Sequence, residues 1–243
     1  MLNGQVSKKI LRQWIIVNTV SLPVSLAIFL VFNWRVYAIQ PRFLEYNVKS
    51  TILNTSFAVV GAVVGLVQWL LLKREVSRIS GWWLLTNIPG LYVATIVSAV
   101  FLAGTMSTLF HRGFSGSAQI LVGGAVSGAV GGAVGGAITG ITQSLLLARR
   151  VLVRNLWIIW ILSSTVAWAV SWAVGLSVGF YLGAAASDTV MRPDLSEQVS
   201  YAVFGVIFGT ISGFLNGAIT GRILIWAMLK SRFVSTSSNA RDI

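Results

Sequence analysis

The chain contains no cysteine and a single histidine, His111. Disulfides, thiolate catalysis and iron–sulfur ligation are thereby excluded, as is a zinc or haem site built from several histidines. Acidic residues are nearly as scarce, six in 243. Glu45, Glu75, Asp188, Asp194, Glu197 and Asp242 all fall outside the long apolar stretches. No stretch therefore holds the intramembrane carboxylate on which proton and cation carriers depend, or the aspartates of a membrane-embedded protease. Charged residues of both signs make up only 10% of the chain, against about 25% in a soluble domain. So few charges cannot cover the surface of a water-soluble domain of this length.

What is present is apolar sequence. Hydrophobic residues are 56% of the chain and the mean hydropathy is +0.81. Six stretches, 14–34, 52–72, 82–104, 118–147, 156–185 and 200–229, reach the roughly 20 residues needed to cross a bilayer. They are continuous rather than alternating, which predicts helices and not barrel strands. The first follows Lys8, Lys9 and Arg12, yet it is too long for a signal-peptide core and ends Phe32-Asn33-Trp34-Arg35 with no small-x-small cleavage pattern, so it reads as a retained span. The loops between stretches, the largest at 35–51, 105–117 and 186–199, are too short to fold alone, and 235–243 reads as a polar tail. The expectation is an all-α, single-domain integral membrane bundle of six helices.

The net charge of +12 follows from how such a bundle is oriented, and no nucleic-acid-binding motif accompanies it. Lys8, Lys9, Arg12, Lys73, Arg74, Arg78, Arg149, Arg150, Arg154, Lys230, Arg232 and Arg241 fall on one side of the predicted bundle. Only Arg35, Arg42, Lys49, Arg112 and Arg192 fall on the other, which predicts both termini in the cytoplasm. Trp14, Trp69, Trp82, Trp83, Trp157 and Trp226 lie at the basic ends of spans and Tyr37, Tyr46, Tyr181 and Tyr201 near the opposite ends, as in an interfacial belt.

An internal repeat is visible. Span two ends Gly61-Ala-Val-Val-Gly65-Leu-Val-Gln68-Trp-Leu-Leu-Leu72 and span four ends Gly136-Ala-Ile-Thr-Gly140-Ile-Thr-Gln143-Ser-Leu-Leu-Leu147. A basic turn follows each, then Trp82-Trp83 or Trp157 opens the next span. Span six repeats the pentapeptide of 136–140 as Gly217-Ala-Ile-Thr-Gly221, and span one opens Arg12-Gln-Trp14 like the second half of such a hairpin. Three copies of one hairpin result, the third split between the chain ends, giving a parallel repeat about the membrane normal and not the inverted repeat of many secondary transporters.

Glycine recurs every fourth residue at Gly124, Gly128, Gly132, Gly136 and Gly140 in span four, and at Gly205, Gly209, Gly213, Gly217 and Gly221 in span six. Span two contributes Gly61 and Gly65, and span five contributes Gly175, Gly179 and Gly183. Residues four apart share a helix face. A face without side chains lets another backbone approach closely, which is how helices gain contact in lipid. Span four has a second small-residue row at Gly123, Ser127, Gly131, Gly135 and Thr139, which predicts close packing on two sides and a central place beside span six. Packing is the plainer role for these rows. A flat pigment, lipid or quinone in one groove is the sharper one.

Gln68, Gln143 and Arg222 are polar residues toward the basic ends of the glycine-rich spans and are candidates for one polar layer or ligand site. Arg222 lies only eight residues from Lys230, about 12 Å along a helix, so it can also snorkel to the headgroups. Asn18, Asn87 and Asn216 are further amides inside spans, for which hydrogen bonding between helices is the expectation. Pro23 and Pro89 predict kinks. No catalytic set and no metal-ligand set emerges.

The Gln68-Trp-Leu-Leu-Leu-Lys-Arg74 stretch followed by Trp82-Trp83 resembles the small polytopic membrane proteins, common in cyanobacteria, built from Gly-x3-Gly, Gln-Trp-Leu, basic-turn and Trp-Trp repeats. The likeness covers 61–83 well and 136–160 less well, since Ser144 stands where the Trp would be. It implies a bacterial plasma or thylakoid membrane and carries no activity, cofactor or site residue with it. The sequence thus predicts a non-catalytic membrane subunit or scaffold that packs on lipids, on other membrane subunits or on itself through its glycine faces. A small channel or facilitator for an anionic or neutral solute, lined by Gln68, Gln143 and Arg222, is the second reading. A pigment- or quinone-binding accessory protein, with Trp168 and Trp172 against a ring and buried amides as magnesium ligands, is the third.

Overall fold

The computed structural model describes residues 4–39, 46–75, 79–114, 116–148, 153–190 and 193–239. Side chains within 27–57 and from 231 onward lie outside that description. The chain is all-helical, with no strand among the described residues: α1 Gly4–Ile39, α2 Tyr46–Glu75, α3 Asn87–His111, α4 Gly116–Leu147, α5 Leu156–Asp188 and α6 Pro193–Asn239, with a 3₁₀ turn Gly81–Leu85 leading into α3. Among the described residues four helical stretches are long and apolar enough to cross a membrane, Gly81–His111, Gly116–Leu147, Leu156–Asp188 and Gln198–Lys230. The first two expected spans fall in α1 and α2, and much of their side-chain detail is not described.

The helices outrun the apolar stretches, and the connections shrink accordingly. Of the expected loop 35–51, residues 35–39 belong to α1 and 46–51 to α2, and α6 continues into the expected polar tail as far as Asn239. Apolarity marks where lipid must be met. It does not mark where backbone hydrogen bonding stops, and residues such as Gln, Lys and Ser extend a helix past the hydrocarbon at little cost. Pro89 occupies the first turn of α3, where its missing N–H removes no intrahelical bond, so it marks a helix start and not a mid-span kink. Pro23 does lie inside α1. Ser80 caps the 3₁₀ turn, accepting from the Trp82 N–H at 3.3 Å, and Asn155 ahead of α5 takes the left-handed conformation at φ 61°, which asparagine tolerates better than most residues.

Each helix packs on the next in chain order, and α6 packs on α1. The glycine rows make these contacts. A Cβ at Gly136 would lie 2.6 Å from the Ser164 carbonyl oxygen and one at Gly124 2.9 Å from the Ser177 Cα, so the first row of α4 is filled by α5. The second row is filled by α3, where a Cβ at Gly135 would meet the Gly90 oxygen at 2.6 Å. Gly209, Gly213, Gly217 and Gly221 of α6 lie against α1, and Gly175, Gly179 and Gly183 of α5 against α6. Gly61 and Gly65 of α2 lie against Asn87 and Leu84, and Gly205 is buried. The rows are thus occupied by the chain's own helices. Close approach on two sides of α4 is found, but α5 stands between α4 and α6, so they do not form a shared centre.

Hydroxyls tie the close pairs. Ser98 donates to the Ser127 carbonyl at 3.1 Å, Ser177 to Leu121 at 2.9 Å and Ser212 to Ser171 at 3.0 Å. The buried apolar side chains form two clusters. One lies at the basic end and holds Trp14, Leu72, Trp83, Leu147, Trp160 and Leu224 among others. The second, toward the opposite end, includes Leu26, Val60, Leu91, Trp168, Trp172 and Phe208.

Candidate functional site: a buried amide layer

Between the two clusters lies a layer of amides, indoles and hydroxyls. Gln68 on α2 is its hub. Its Nε2 donates to Asn18 Oδ1 of α1 at 2.7 Å, and its Oε1 accepts from Asn87 Nδ2 at 3.0 Å and from Trp83 Nε1 at 3.3 Å. Gln143 on α4 repeats the pattern: its Nε2 donates to Asn87 Oδ1 at 3.3 Å and its Oε1 accepts from Trp160 Nε1 at 3.1 Å. Trp14 Nε1 donates instead to Thr220 Oγ1 of α6 at 3.0 Å, and Thr220 in turn donates to the Asn216 carbonyl. Asn18 and Asn87 are each 2% exposed, Gln68 3% and Gln143 4%. An amide at that depth is out of reach of bulk water, so each unmade bond would cost roughly 1–3 kcal/mol.

The contacts around this layer recur in three places. Gly65, Gly140 and Gly217 oppose Leu84, Ile161 and Ile15; Gly61, Gly136 and Gly213 oppose Asn87, Ser164 and Asn18. Each opposed residue stands one or four positions after a fully buried tryptophan, Trp83, Trp160 or Trp14. By these contacts Gln68 and Gln143 correspond to Thr220, and Leu72 and Leu147 to Leu224, all three leucines being 1% exposed.

Two of the three residues expected in a polar layer are therefore brought together, both bonded to Asn87. Arg222 is not among them: it is exposed, two residues past Thr220. The shared pentapeptide set Gly217 opposite Gly136, whereas the contacts set Gly213 there. A glycine row of period four looks the same after a shift of four, so sequence alone could not fix the register. The tryptophans also divide. Trp82, Trp157 and Trp226 are exposed at the basic end, with Lys230 5.2 Å above the Trp226 ring. Trp14 and Trp83 are instead core residues with satisfied indoles. Trp160 matches Trp83 by these contacts, where the sequence pattern predicts Trp157. Its signal was available: an asparagine or serine follows each of Trp14, Trp83 and Trp160 by four residues.

Two small cavities adjoin the layer. The larger, about 30 Å³, is lined by Asn18, Gln68, Asn87, Ser171, Ser212 and Asn216 among others. The smaller, about 10 Å³, is bounded by Thr139, Gln143, Trp160, Ser164, Asn216 and Thr220 among others. Trp168 and Trp172 stack on each other with ring centres 5.9 Å apart, and Phe208 meets Trp172 edge-on at 5.3 Å. These rings are packed by protein. His111 is exposed and bonded through Nδ1 to the Ser107 carbonyl oxygen at 2.7 Å. No protein-family model, no curated protein and no solved structure matches this chain.

Proposed function

We propose that the protein is a non-catalytic integral membrane scaffold, a six-span bundle of three like helix pairs, α2–α3, α4–α5 and α6–α1, about a pseudo-threefold axis. The observation that carries this reading is that the bonded amides and the glycine rows described above are engaged within the chain itself. The amide layer bonds to itself, and the glycine rows are filled by neighbouring helices of the same chain. A glycine zipper of this kind serves the bundle's own rigidity. What the protein then offers to lipid, to other membrane subunits or to a second copy is its aliphatic outer face, where Val20, Val59, Val100, Leu145, Leu162 and Val166 are exposed. The three matching sets of glycine contacts support the repeat.

The exposed Arg12, Lys73, Arg74, Arg154, Arg222 and Lys230 lie next to the Trp14–Leu72–Leu147 cluster, which supports a cytoplasmic basic end and cytoplasmic termini. A bacterial plasma or thylakoid membrane is the location the sequence resemblance suggests. Purification in mild detergent tests the proposal. A colourless protein that runs as part of a larger membrane complex or as an oligomer supports a scaffold.

A second reading, a small facilitator for a neutral or anionic solute, draws on the amide-lined cavity. Solute flux in liposomes that is lost in Gln68→Leu would replace the scaffold with it. Stoichiometric pigment in the absorbance spectrum would replace both.

A further inference from the structure

The hydrogen-bonded layer runs from Asn18 through Gln68 and Asn87 to Gln143, and stops there. At the next step the chain carries Ser164 where α1 and α3 carry Asn18 and Asn87, and Thr220 where α2 and α4 carry Gln68 and Gln143. Both replacements are shorter by one to two bond lengths or more, and both border the same 10 Å³ cavity. Three residues that line this cavity carry a buried oxygen with no hydrogen-bond partner in the protein: Thr139 Oγ1, Ser164 Oγ and Asn216 Oδ1. Thr139 and Ser164 are each 1% exposed. Leaving three such groups unpaired in hydrocarbon surroundings is costly. A cavity of about 10–15 Å³ with two to four polar partners is what one buried water requires.

We propose that this cavity is a water-binding site. One tightly held water bonds Ser164 Oγ, Thr139 Oγ1 and Asn216 Oδ1 and completes the layer between α5 and α6. The 30 Å³ cavity beside it, which shares Gln68, Asn87 and Asn216 with the smaller one, has room for about two more. Two protons of the central water go to two of the three oxygens, and the third oxygen, a serine or threonine hydroxyl, donates to the water. Each of the three oxygens thereby gains a hydrogen bond with no ion. Donors and acceptors are neutral throughout, and this selects water over a cation or an anion. The inference goes beyond the scaffold reading and holds whether or not the protein has a partner.

The test is a high-resolution density map of the full chain in detergent or nanodiscs, with thermal unfolding of three proteins. Solvent density is expected within hydrogen-bonding distance of at least two of the three oxygens. Ser164→Ala is expected to unfold a few degrees below the wild type, because the water loses a partner. Ser164→Asn, which supplies the amide found at Asn18 and Asn87, is expected to displace that density and retain the wild-type midpoint. This arm alone leans on the three-pair correspondence. A clear map with nothing between the three oxygens overturns the proposal. So does Ser164→Ala unfolding at or above the wild-type midpoint, because deleting a dry, unpaired hydroxyl stabilises.

Discussion

At the basic end like side chains recur within one cluster: Trp14, Trp83 and Trp160, with Leu72, Leu147 and Leu224. Toward the opposite end the matching is lost. Eight residues past each of those tryptophans stand Leu22, Leu91 and Trp168, and the aromatic ladder Trp168–Trp172–Phe208–Phe204–Phe180 belongs to α5 and α6 alone. The difference teaches where the fold is specified. Directional bonds from indole to amide admit one register, so the residues that make them recur. Apolar packing admits many solutions of equal volume, so the far end is filled by whichever rings fit.

Seven substitutions would break or sharpen this contrast. Trp160→Ala carries the largest expected loss, about 4 kcal/mol, since it empties a fully buried site and leaves Gln143 Oε1 unpaired. Trp172→Ala at the far end should cost less, as neighbouring rings can settle into the space. Thermal unfolding in detergent ranks the pair, and the reverse order would remove the distinction between the two ends. Next comes Gln68→Leu, at about 3 kcal/mol, because it orphans Asn18, Trp83 and Asn87 together. Gln143→Leu orphans only Asn87 Oδ1 and Trp160 Nε1, and its unfolding midpoint should fall by less.

Gly136→Ala follows at about 2 kcal/mol, from a Cβ driven against the Ser164 carbonyl. Its control is Gly104→Ala, where a Cβ meets nothing within 4 Å and the helix should gain roughly 0.5–1 kcal/mol. Equal behaviour of the two glycines would mean that close backbone approach is not what the row supplies. Arg222→Ala is expected to shift stability least, by under about 0.5 kcal/mol, because the side chain is exposed. A large drop in its midpoint would return Arg222 to the polar layer.

The all-helical class, the positions of the six helices and the glycine faces were legible because hydropathy and a period of four are one-dimensional signals. Gln68 and Gln143 stood out for a similar reason, being polar residues in apolar runs at the same offset. Asn18 and Asn87 were recognisable as buried amides, but their partners were not, because those lie up to 56 residues away across two helices. Thr220 was hidden more deeply. A threonine is unremarkable in a span, and the repeated pentapeptide Gly217-Ala-Ile-Thr-Gly221 sets the alignment off by one turn. Trp14 and Trp83 were assigned to the headgroup level, since a tryptophan near a span end gives no sign of whether its indole faces lipid or a glutamine.

The contact of α6 with α1 has a consequence for synthesis. Trp14 of α1 and its partner Thr220 of α6 are 206 residues apart, and at about 5–20 residues per second the interval between them is tens of seconds. Through that wait Trp14 has no Thr220 to receive its indole proton, and the glycine row that will seat Ile15 and Asn18 does not yet exist. Asn18 is equipped for it: its Nδ2 bonds the Trp14 carbonyl of its own helix at 2.8 Å, a bond available before any neighbour arrives. The ring of helix contacts closes only once α6 has been made.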